Sequence, residues 1–357
     1  MKRILIVRPD AIGDFIIFSA VLEEYEKLYQ GYKIDLLCWP RVKELTQHIP
    51  FINKVIFINT PKLFRKRYPL YTYFTLLRLK MMRYEKVIYP VYSRFKNDDL
   101  IVKTIRAKEK IVYDGDSARD PKNERYVRNK YFTKIIESEK EEKPEMDRNR
   151  EFINKLGAHT DKNGIKPKIW FSDNDEIEFE KLKQLYKLEE NRYICIFPGA
   201  GGPNKYWRSE KWTELIKRLI NEYQRYKVVM LGNGNDRVDI EGVMELLDAR
   251  VKEKVVNLYN KTSLRALAKV IQHAKLLIGM DTGAIHIAAA VGTPNICLMG
   301  GGHFNRFYPY GDLSKNRIVF HKMDCYGCNW KCKYEAPKCI HEIKVGEVWR
   351  EIECMLI

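Results

Sequence analysis

The stretch at residues 276–302, LLIGMDTGAIHIAAAVGTPNICLMGGG, constrains the fold more than any other part of the chain. Its apolar runs at 276–278 and 295–299 are typical of buried strands, and the small residues at 284–291 predict a helix between them. Gly292, Thr293 and Pro294 end that helix. Strand, polar turn, helix and strand make one βαβ unit, which predicts a parallel sheet.

The turn of this βαβ unit is a predicted anion site. Asp281 and Thr282 are helix N-cap residues, and Gly283 lets a backbone or a ligand come close. Phosphate binds well where helix N–H groups and the helix dipole point out of a sheet edge. Capped helices follow strands in any α/β protein, so the specific signal is the spacing Asp-Thr-Gly-x-x-His before Ala-Ala-Ala-x-Gly-Thr-Pro, which includes His286.

Short apolar runs alternate with helical patterns along both halves of the chain. They lie at 4–7, 34–38, 55–58 and 87–89 in the first half and at 193–197, 228–231 and 255–258 in the second. This alternation is typical of doubly wound parallel sheets, so the fold class is α/β.

The length of 357 residues suits two domains. We predict a first domain at 1–188 and a second at 189–342, which ends in a cysteine-rich loop at 324–341. A C-terminal helix within 343–357 has an amphipathic pattern, and we expect it to pack back on the first domain.

Three further strand ends carry polar residues that suit a ligand site. Asp14 follows the first strand in the first turn of a helix, where it serves either a ligand or the helix dipole. Lys205 adds a point charge to a glycine-rich turn that lacks the Gly-Lys-Ser/Thr ending of a Walker loop. Asp236 follows another strand and either binds a ribose diol or caps its turn.

The net charge of +17 is concentrated at residues 54–134, where 21 Lys+Arg against 8 Asp+Glu give +13. Three interpretations compete: an anionic membrane surface, a nucleic acid or a solvated basic face. No nucleic-acid recognition motif accompanies the charge, so we expect no nucleic-acid partner. At a membrane, Tyr68, Tyr71 and Tyr84 are candidates for the headgroup level. With neither a signal peptide nor a membrane span in the sequence, we expect a cytoplasmic protein, peripheral at the inner face of the cytoplasmic membrane.

The chain resembles glycosyltransferase family 9, the bacterial ADP-heptose:lipopolysaccharide heptosyltransferase group. Four blocks carry the resemblance, at 4–14, 197–207, 232–236 and 281–286, and their order and separation match over nearly the whole chain. Residues 54–150 add nothing to it. The resemblance implies a GT-B fold, in which two Rossmann-like domains face a central cleft. It assigns the acceptor to the N-terminal domain and the sugar nucleotide to the C-terminal domain.

The resemblance also implies the activity. It is an inverting, metal-independent transfer of heptose, with ADP-heptose as the expected donor, to a lipopolysaccharide core or another cell-surface glycan. Asp14 matches the general base, and Lys205 matches a lysine that contacts the donor phosphates and assists catalysis. The other matched donor-binding positions are Ala200, Gly201, Asp236, Thr262, Asp281, Thr282, Gly283 and His286.

Two departures from the family pattern matter for the donor. Ala200 and Gly201 replace residues that often carry hydroxyls, so phosphate contacts there must come from the backbone. Thr262 makes the expected adenine contact less apolar than in many members. Two alternatives therefore stay open: a GT-B transferase that uses another nucleotide sugar, and a non-catalytic nucleotide-binding protein that docks on membranes. A protein that only binds does not need the base Asp14.

Four of the eight cysteines cluster near the C-terminus. Cys325, Cys328, Cys332 and Cys339 can close a tetrahedral site for structural zinc or iron, or they are four reduced thiols in a compact loop. Catalysis by the expected mechanism requires no cofactor. Three other cysteines lie in apolar runs and are expected in the core: Cys38, Cys195 and Cys297.

Overall fold

A computed structural model describes residues 2–116, 127–139, 141–202 and 205–356. The chain divides into two compact units, Met1–Lys166 and Pro167–Ile357. Each unit contains a six-stranded sheet in which every strand pair is parallel, with helices in the connections. The predicted α/β class with two Rossmann-like units is confirmed.

The sheet of the first unit has the strand order β3-β2-β1-β4-β5-β6. Its strands are β1 (Arg3–Arg8), β2 (Lys33–Cys38), β3 (Ile52–Phe57), β4 (Arg83–Tyr89), β5 (Arg106–Tyr113) and β6 (Lys134–Ile136). The helices of this unit include α1 (Ile12–Ser19), α2 (Leu22–Leu28), α3 (Pro69–Met81), α4 (Lys96–Thr104) and α5 (Glu145–Lys155). The central strand β1 is a continuous apolar run because it is buried on both faces, and Ile4 to Val7 are fully enclosed.

The sheet of the second unit has the order β12-β11-β10-β7-β8-β9. Its strands are β7 (Tyr193–Phe197), β8 (Lys227–Met230), β9 (Val255–Asn257), β10 (Leu276–Met280), β11 (Asn295–Leu298) and β12 (Asn316–Val319). Its helices include α6 (Asp173–Tyr186), α7 (Ser209–Glu222), α8 (Arg237–Leu246), α9 (Ala249–Lys252), α10 (Leu264–Gln272), α11 (Gly283–Val291), α12 (Lys338–His341) and α13 (Val345–Leu356). Cys195 and Cys297 are buried core residues here, as Cys38 is in the first unit.

Both sheets contain a point at which the strand order reverses. In the first sheet the reversal lies between β1 and β4, and in the second between β7 and β10. Open α/β sheets bind ligands beyond the carboxyl ends of the strands at such a point. The turns after these four strands are therefore the places to examine for function.

The boundary between the units lies after Lys166, whereas the sequence predicted it at 188/189. The boundary differs because helix α6 belongs to the second unit, where it packs on α10. Arg265 Nε donates to Asp175 Oδ1 at 2.6 Å, and this buried ion pair joins the two helices. The pair links residues far apart in sequence, so a local pattern did not reveal it.

The C-terminal helix α13 differs from expectation in its partner. It packs on α7, β11 and β12 of the second unit, with Val348, Trp349 and Ile352 buried. The Arg218 guanidinium lies 4.0 Å from the centre of the Trp349 ring. The expected packing on the first domain is therefore replaced by packing on the second unit. In the described parts of the chain, no helix has the length and apolarity needed to cross a bilayer.

Candidate active site

A cavity of about 630 Å³ lies at the strand-order reversal of the first unit. The turns after β1, β2, β3 and β4 line it, so it occupies the carboxyl edge of the sheet. Its charged residues are three carboxylates and two cations: Asp10, Asp14, Asp98, Arg65 and Lys96. The predicted base Asp14 thus lines this cavity.

Asp14 lies in the first turn of α1 and is half-buried, while the residues that follow it in the helix are buried. The neighbouring carboxylate of Asp10 is paired with Arg8, whose Nε lies 2.5 Å from Asp10 Oδ2. Arg8 is itself buried, with its guanidinium 4.4 Å from the centre of the Phe18 ring. Asp10 is therefore held against β1, and its charge is balanced there.

The other wall of this cavity is the N-terminus of α4, which sequence reasoning missed. Asp99 accepts from Arg94 at 3.1 and 2.9 Å and from Arg128 Nε at 2.8 Å, all in buried positions. Asp98 accepts from the Tyr89 hydroxyl at 3.2 Å. Removing one partner of a buried ion pair is strongly destabilising, so these contacts hold the backbone in place. The network fixes the helix start that places Lys96 and Asp98 on the cavity.

In the second unit, Gly199 and Asp236 join the turns after β7 and β8. A Cβ at Gly199 would lie 2.1 Å from Asp236 Oδ1, so no other residue fits there. Asp236 Oδ2 accepts from the backbone N–H of Asn233 at 2.9 Å. Burial raises the pKa of Asp236. Asp236 thus caps its turn, and its role in binding a ribose diol stays a prediction.

The turn after β10 places Asp281, Thr282 and Gly283 at the start of α11. Thr282 is the N-cap by position, but its side chain makes no capping hydrogen bond. Its hydroxyl is buried and has no hydrogen-bond partner among the described residues. The first-turn N–H groups of α11, together with this hydroxyl, are donors available to an anion beyond the sheet edge.

His286 is buried beneath this turn and is neutral at physiological pH. Its Nδ1 lies 3.0 Å from the Tyr310 hydroxyl, and its ring stacks on that of Tyr310. Its Nε2 is 3.9 Å from Asp281 Oδ1. Burial lowers the pKa of His286 to about 4. His286 therefore supports Asp281 without adding a positive charge to the site.

Lys205, in the glycine-rich turn after β7, lies close enough to Asp281 to affect its pKa. Burial raises the pKa of Asp281, and the nearby charge of Lys205 opposes that rise. The Lys205 ammonium lies 4.3 Å from the centre of the Trp330 ring, in cation–π contact. Ala200 is buried in the same turn, while Gly201 is exposed with φ +65°, in the left-handed region.

Trp330 is a contact that sequence reasoning missed. It lies in the cysteine-rich loop. The Trp330 ring packs on the glycine run after β11, where a Cβ at Gly302 would come within 2.3 Å of the indole. Its Nε1 donates to His303 Nδ1 at 3.3 Å. The only sequence signal for it was an aromatic residue inside the cysteine cluster.

Thr262 lies apart from the residues described above, in the loop between β9 and α10. The next residue, Ser263, caps α10 by accepting from the Ala266 N–H at 3.0 Å. Since β9 is the edge strand, Thr262 is on the far side of β7 and β8 from Asp281. A ligand that touched both would have to extend along the sheet edge.

The four clustered cysteines line one small cavity of about 100 Å³, together with Lys338 and Gly301. Burial raises the pKa of Cys339, and the other three thiols raise it further. Within the described residues, however, no three His, Cys, Asp or Glu side chains come close enough together to hold a metal ion. The thiols are free and share a cavity, and they do not form a closed ligand shell.

Two of the three tyrosines expected at headgroup level are in the wrong place for it. Tyr84 is buried and donates to Asp35 Oδ2 at 2.9 Å. The Tyr71 hydroxyl accepts from the Asn59 N–H at 2.7 Å. Tyr68 is half-buried, with Lys62 and Arg67 on its ring.

The sequence model of "Glycosyltransferase family 9 (heptosyltransferase)" matches residues 98–336, more than half of the chain. The chain belongs to glycosyltransferase family 9. The resemblance noted in the sequence is thereby confirmed, and the protein is a glycosyltransferase.

Curated relatives of this family 9 glycosyltransferase include two heptosyltransferases. Lipooligosaccharide heptosyltransferase 2 of Haemophilus influenzae is 25% identical, over 84% of this chain and 83% of the relative. Lipopolysaccharide heptosyltransferase 3 of Escherichia coli is 25% identical, over 86% of this chain and 85% of the relative.

Solved structures of similar fold cover nearly the whole of this family 9 chain. E. coli ADP-heptose LPS heptosyltransferase II has a TM-score of 0.74 at 19% identity, covering 100% of this chain and 98% of that one. E. coli heptosyltransferase WaaC with ADP-2-deoxy-2-fluoro heptose has a TM-score of 0.69 at 18% identity, covering 98% and 99%. E. coli TibC, an iron-containing dodecameric heptosyltransferase, reaches 0.56 at 14% identity, covering 99% and 77%. These likenesses establish the GT-B fold.

Proposed function

We propose that this family 9 glycosyltransferase transfers a heptose from ADP-heptose to a lipopolysaccharide core or another cell-surface glycan, with inversion and without a catalytic metal ion. The observation that carries the proposal is the anion site at the start of α11, where Lys205 and the helix N-terminus converge near Asp281. The names of the two curated relatives and the ADP-sugar bound to WaaC support the choice of donor.

On the donor side, the diphosphate lies at the N-terminus of α11 and is paired with Lys205. Backbone donors come from Thr282 and Gly283 and from the turn at Ala200 and Gly201, while Asp236 holds that turn. Negative charge gathers on ADP as the bond to the anomeric carbon breaks. The helix dipole and Lys205 stabilise that charge in place of a divalent ion.

For this donor, we assign the sugar to Asp281, supported by neutral His286, and the adenine to the vicinity of Thr262. A carboxylate accepts hydrogen bonds from sugar hydroxyls, and burial of His286 keeps its imidazole uncharged beside Asp281. Asp281 follows β10 and Thr262 follows the edge strand β9, so a nucleotide sugar that touches both would extend along the sheet edge.

On the acceptor side, Asp14 is the general base. Its carboxylate takes the proton of the acceptor hydroxyl as that oxygen attacks the anomeric carbon, and the bond to the diphosphate oxygen breaks on the opposite face. Attack from that face inverts the anomeric centre. Arg65 and Lys96, which line the same cavity, suit anionic groups on the acceptor.

The test is a titration followed by a transfer assay. ADP is expected to bind more tightly than UDP, and ADP-heptose to support transfer that survives excess EDTA in short incubations. Tighter binding of UDP would assign another nucleotide sugar to the same fold. Binding of ADP without transfer to any lipopolysaccharide-derived acceptor would indicate a nucleotide-binding protein without catalysis. Immediate loss of activity in EDTA, restored by magnesium, would contradict the metal-independent mechanism.

We further propose that the protein works in the cytoplasm at the inner face of the cytoplasmic membrane. A lipid-linked acceptor is presented there, and the basic segment at 54–134 is attracted to anionic headgroups at about 1 kcal/mol for each nearby Lys or Arg. Vesicle co-sedimentation tests this attraction. The triple variant Arg65→Glu, Lys66→Glu and Arg67→Glu should bind anionic vesicles more weakly at low salt and keep its ADP affinity.

For the cysteine cluster we propose a structural zinc or iron ion held by Cys325, Cys328, Cys332 and Cys339, whose thiols would have to draw closer together on binding than they lie in the structure. Four thiols around one small cavity support this, because thiolates are the preferred ligands of both metals. The ion would hold the loop that carries Trp330 and would take no part in transfer. Elemental analysis of the purified protein should find about one such ion per chain, and a metal-free protein with four reactive thiols would refute it.

A further inference from the structure

Helix α3 presents an apolar stripe to solvent. Five of its side chains, between 43% and 71% exposed, share one face: Leu70, Tyr73, Phe74, Leu77 and Met81. At 3.6 residues per turn they fall within about 100° of the helix circumference. The opposite face holds the helix on the unit, with Leu79 buried and Tyr71 and Leu76 packed against the core. Single exposed apolar residues are common, but a continuous stripe of five marks an interaction surface.

Positive charge surrounds this stripe. Residues 62–84 contain seven Lys+Arg and no acid. On α3 itself, Arg78 and Lys80 are exposed and lie on opposite sides of the stripe by their helical positions. The loop before the helix adds four more cations: Lys62, Arg65, Lys66 and Arg67. A partner for this face must therefore be apolar at its centre and anionic at its edges.

We propose that α3 is an interfacial helix that lies flat in the surface of an anionic bilayer. Its apolar stripe sinks to the boundary of the acyl chains, while Arg78 and Lys80 extend their stems to lipid phosphates on either side. A helix of 13 residues is too short to span the hydrocarbon core, so it lies along the surface. On this proposal the stripe of α3 takes the place at the headgroup level that was expected of Tyr71 and Tyr84.

The position of α3 also deepens the proposed function, on which this step rests. The segment that leads into the helix lines the Asp14 cavity through Thr60, Phe64 and Arg65. A bilayer docked on α3 therefore lies next to the cavity and presents there the lipid-linked acceptor of the proposed function. Its tail stays in the membrane while its sugar hydroxyl reaches Asp14.

The experiment compares two double variants, each of which replaces two exposed apolar residues by glutamate. Leu70→Glu/Phe74→Glu changes the stripe, and Ile177→Glu/Leu185→Glu is the control on α6 of the second unit. Leu70 and Leu185 are each 71% exposed, so neither change opens a core. Binding to vesicles of phosphatidylglycerol and phosphatidylethanolamine is measured by co-sedimentation at about 0.1 M and about 0.5 M salt, because only the electrostatic part is screened.

Wild type and control are expected to bind these vesicles, with part of the binding surviving high salt. The stripe variant should bind at least about tenfold more weakly at both salt concentrations. Equal binding by the stripe variant and wild type overturns the proposal. The proposal is also overturned if light scattering shows that wild type is an oligomer and that the stripe variant is a monomer, while both bind vesicles equally. The stripe is then covered by a second copy of the chain.

Titration with ADP separates this proposal from the enzymatic one. Wild type that binds ADP but ignores anionic vesicles refutes membrane docking and leaves the transferase assignment standing. Wild type that binds vesicles but does not bind ADP supports membrane docking and contradicts the proposed donor. Unchanged melting temperatures for both variants show that the folded state is being compared.

Discussion

The two units of this glycosyltransferase share a topology and differ in the charge of their sites. Each has a six-stranded parallel sheet whose strand order reverses next to its first strand. At that point the first unit has a cavity with three carboxylates, Asp10, Asp14 and Asp98. The second has a helix N-terminus, a lysine and a buried neutral histidine. The fold therefore supplies the location, and the side chains at the strand ends supply the proposed base on one unit and the proposed anion site on the other.

The difference extends to how each site is held. In the first unit, buried ion pairs such as Arg94 with Asp99 fix the cavity wall. In the second, glycines permit close contacts, as where Gly199 meets Asp236, and aromatic rings hold the charges. Substitutions at the two sites should therefore have different effects. Those in the first unit should affect proton transfer, and those in the second should affect donor binding.

The largest effect is expected for Asp14→Asn. The amide keeps the shape of the side chain but cannot take the acceptor proton, so kcat should fall by about two to four orders of magnitude. Transfer is measured at saturating donor, and the melting temperature should match that of wild type. Near-normal turnover would remove Asp14 from the mechanism.

A smaller effect, about 10- to 100-fold, is expected for Lys205→Ala, the range for losing a charged contact to the diphosphate. The donor KM should rise and kcat should fall, because the charge acts on bound ADP-heptose and more strongly on departing ADP. Steady-state kinetics over a range of donor concentration tests this. Unchanged KM and kcat would show that Lys205 is not at the donor site.

The pH dependence of stability should distinguish the units through His286. Its folded pKa of about 4 lies below the usual value of 6.5, so the unfolded chain binds the proton more readily. The contribution of His286 is complete above about pH 6.5 and is lost as the pH falls toward 4, amounting to about 1–2 kcal/mol between pH 7 and 5. Chemical denaturation at both pH values should show a smaller pH loss in His286→Gln than in wild type. An equal loss would contradict this assignment.

The smallest effect is expected for Trp330, which acts as a positioning residue for Lys205. Trp330→Leu removes the ring face and should weaken ADP binding about three- to tenfold, whereas Trp330→Phe keeps a face and most of the affinity. The decisive readout is the double variant with Lys205→Ala, in which the change at Trp330 should have no further effect. Tyr334→Leu is the matched control, since Tyr334 pairs with Lys338 in the same loop. Additive losses would show that Trp330 acts only on loop stability.

The sequence predicted those parts of the molecule that are fixed by local pattern. Strands such as β1 and β10 were visible because burial on both faces makes them continuous apolar runs. The helix at α11 was visible from its N-terminal turn and from Gly292, which adopts φ +83° at its end. The positions of Asp14, Lys205 and Asp281 at strand ends follow directly from these elements.

What the sequence did not predict depends on contacts between distant residues. The boundary at Lys166 depends on the pairing of Asp175 with Arg265. Tyr84 and Tyr73 look alike in a basic aromatic segment, but only Tyr84 has a buried partner, Asp35, while Tyr73 stays exposed. The cation–π contact of Lys205 with Trp330 joins two loops that no local motif connects.

The most direct test of the division between the two units is the calorimetric titration of ADP into wild type, Asp14→Asn and Lys205→Ala. The account predicts that Asp14→Asn binds ADP as wild type does, while Lys205→Ala binds it at least about tenfold more weakly. Weakened binding in Asp14→Asn, or unchanged binding in Lys205→Ala, would contradict the assignment of the base to the first unit and of the donor to the second.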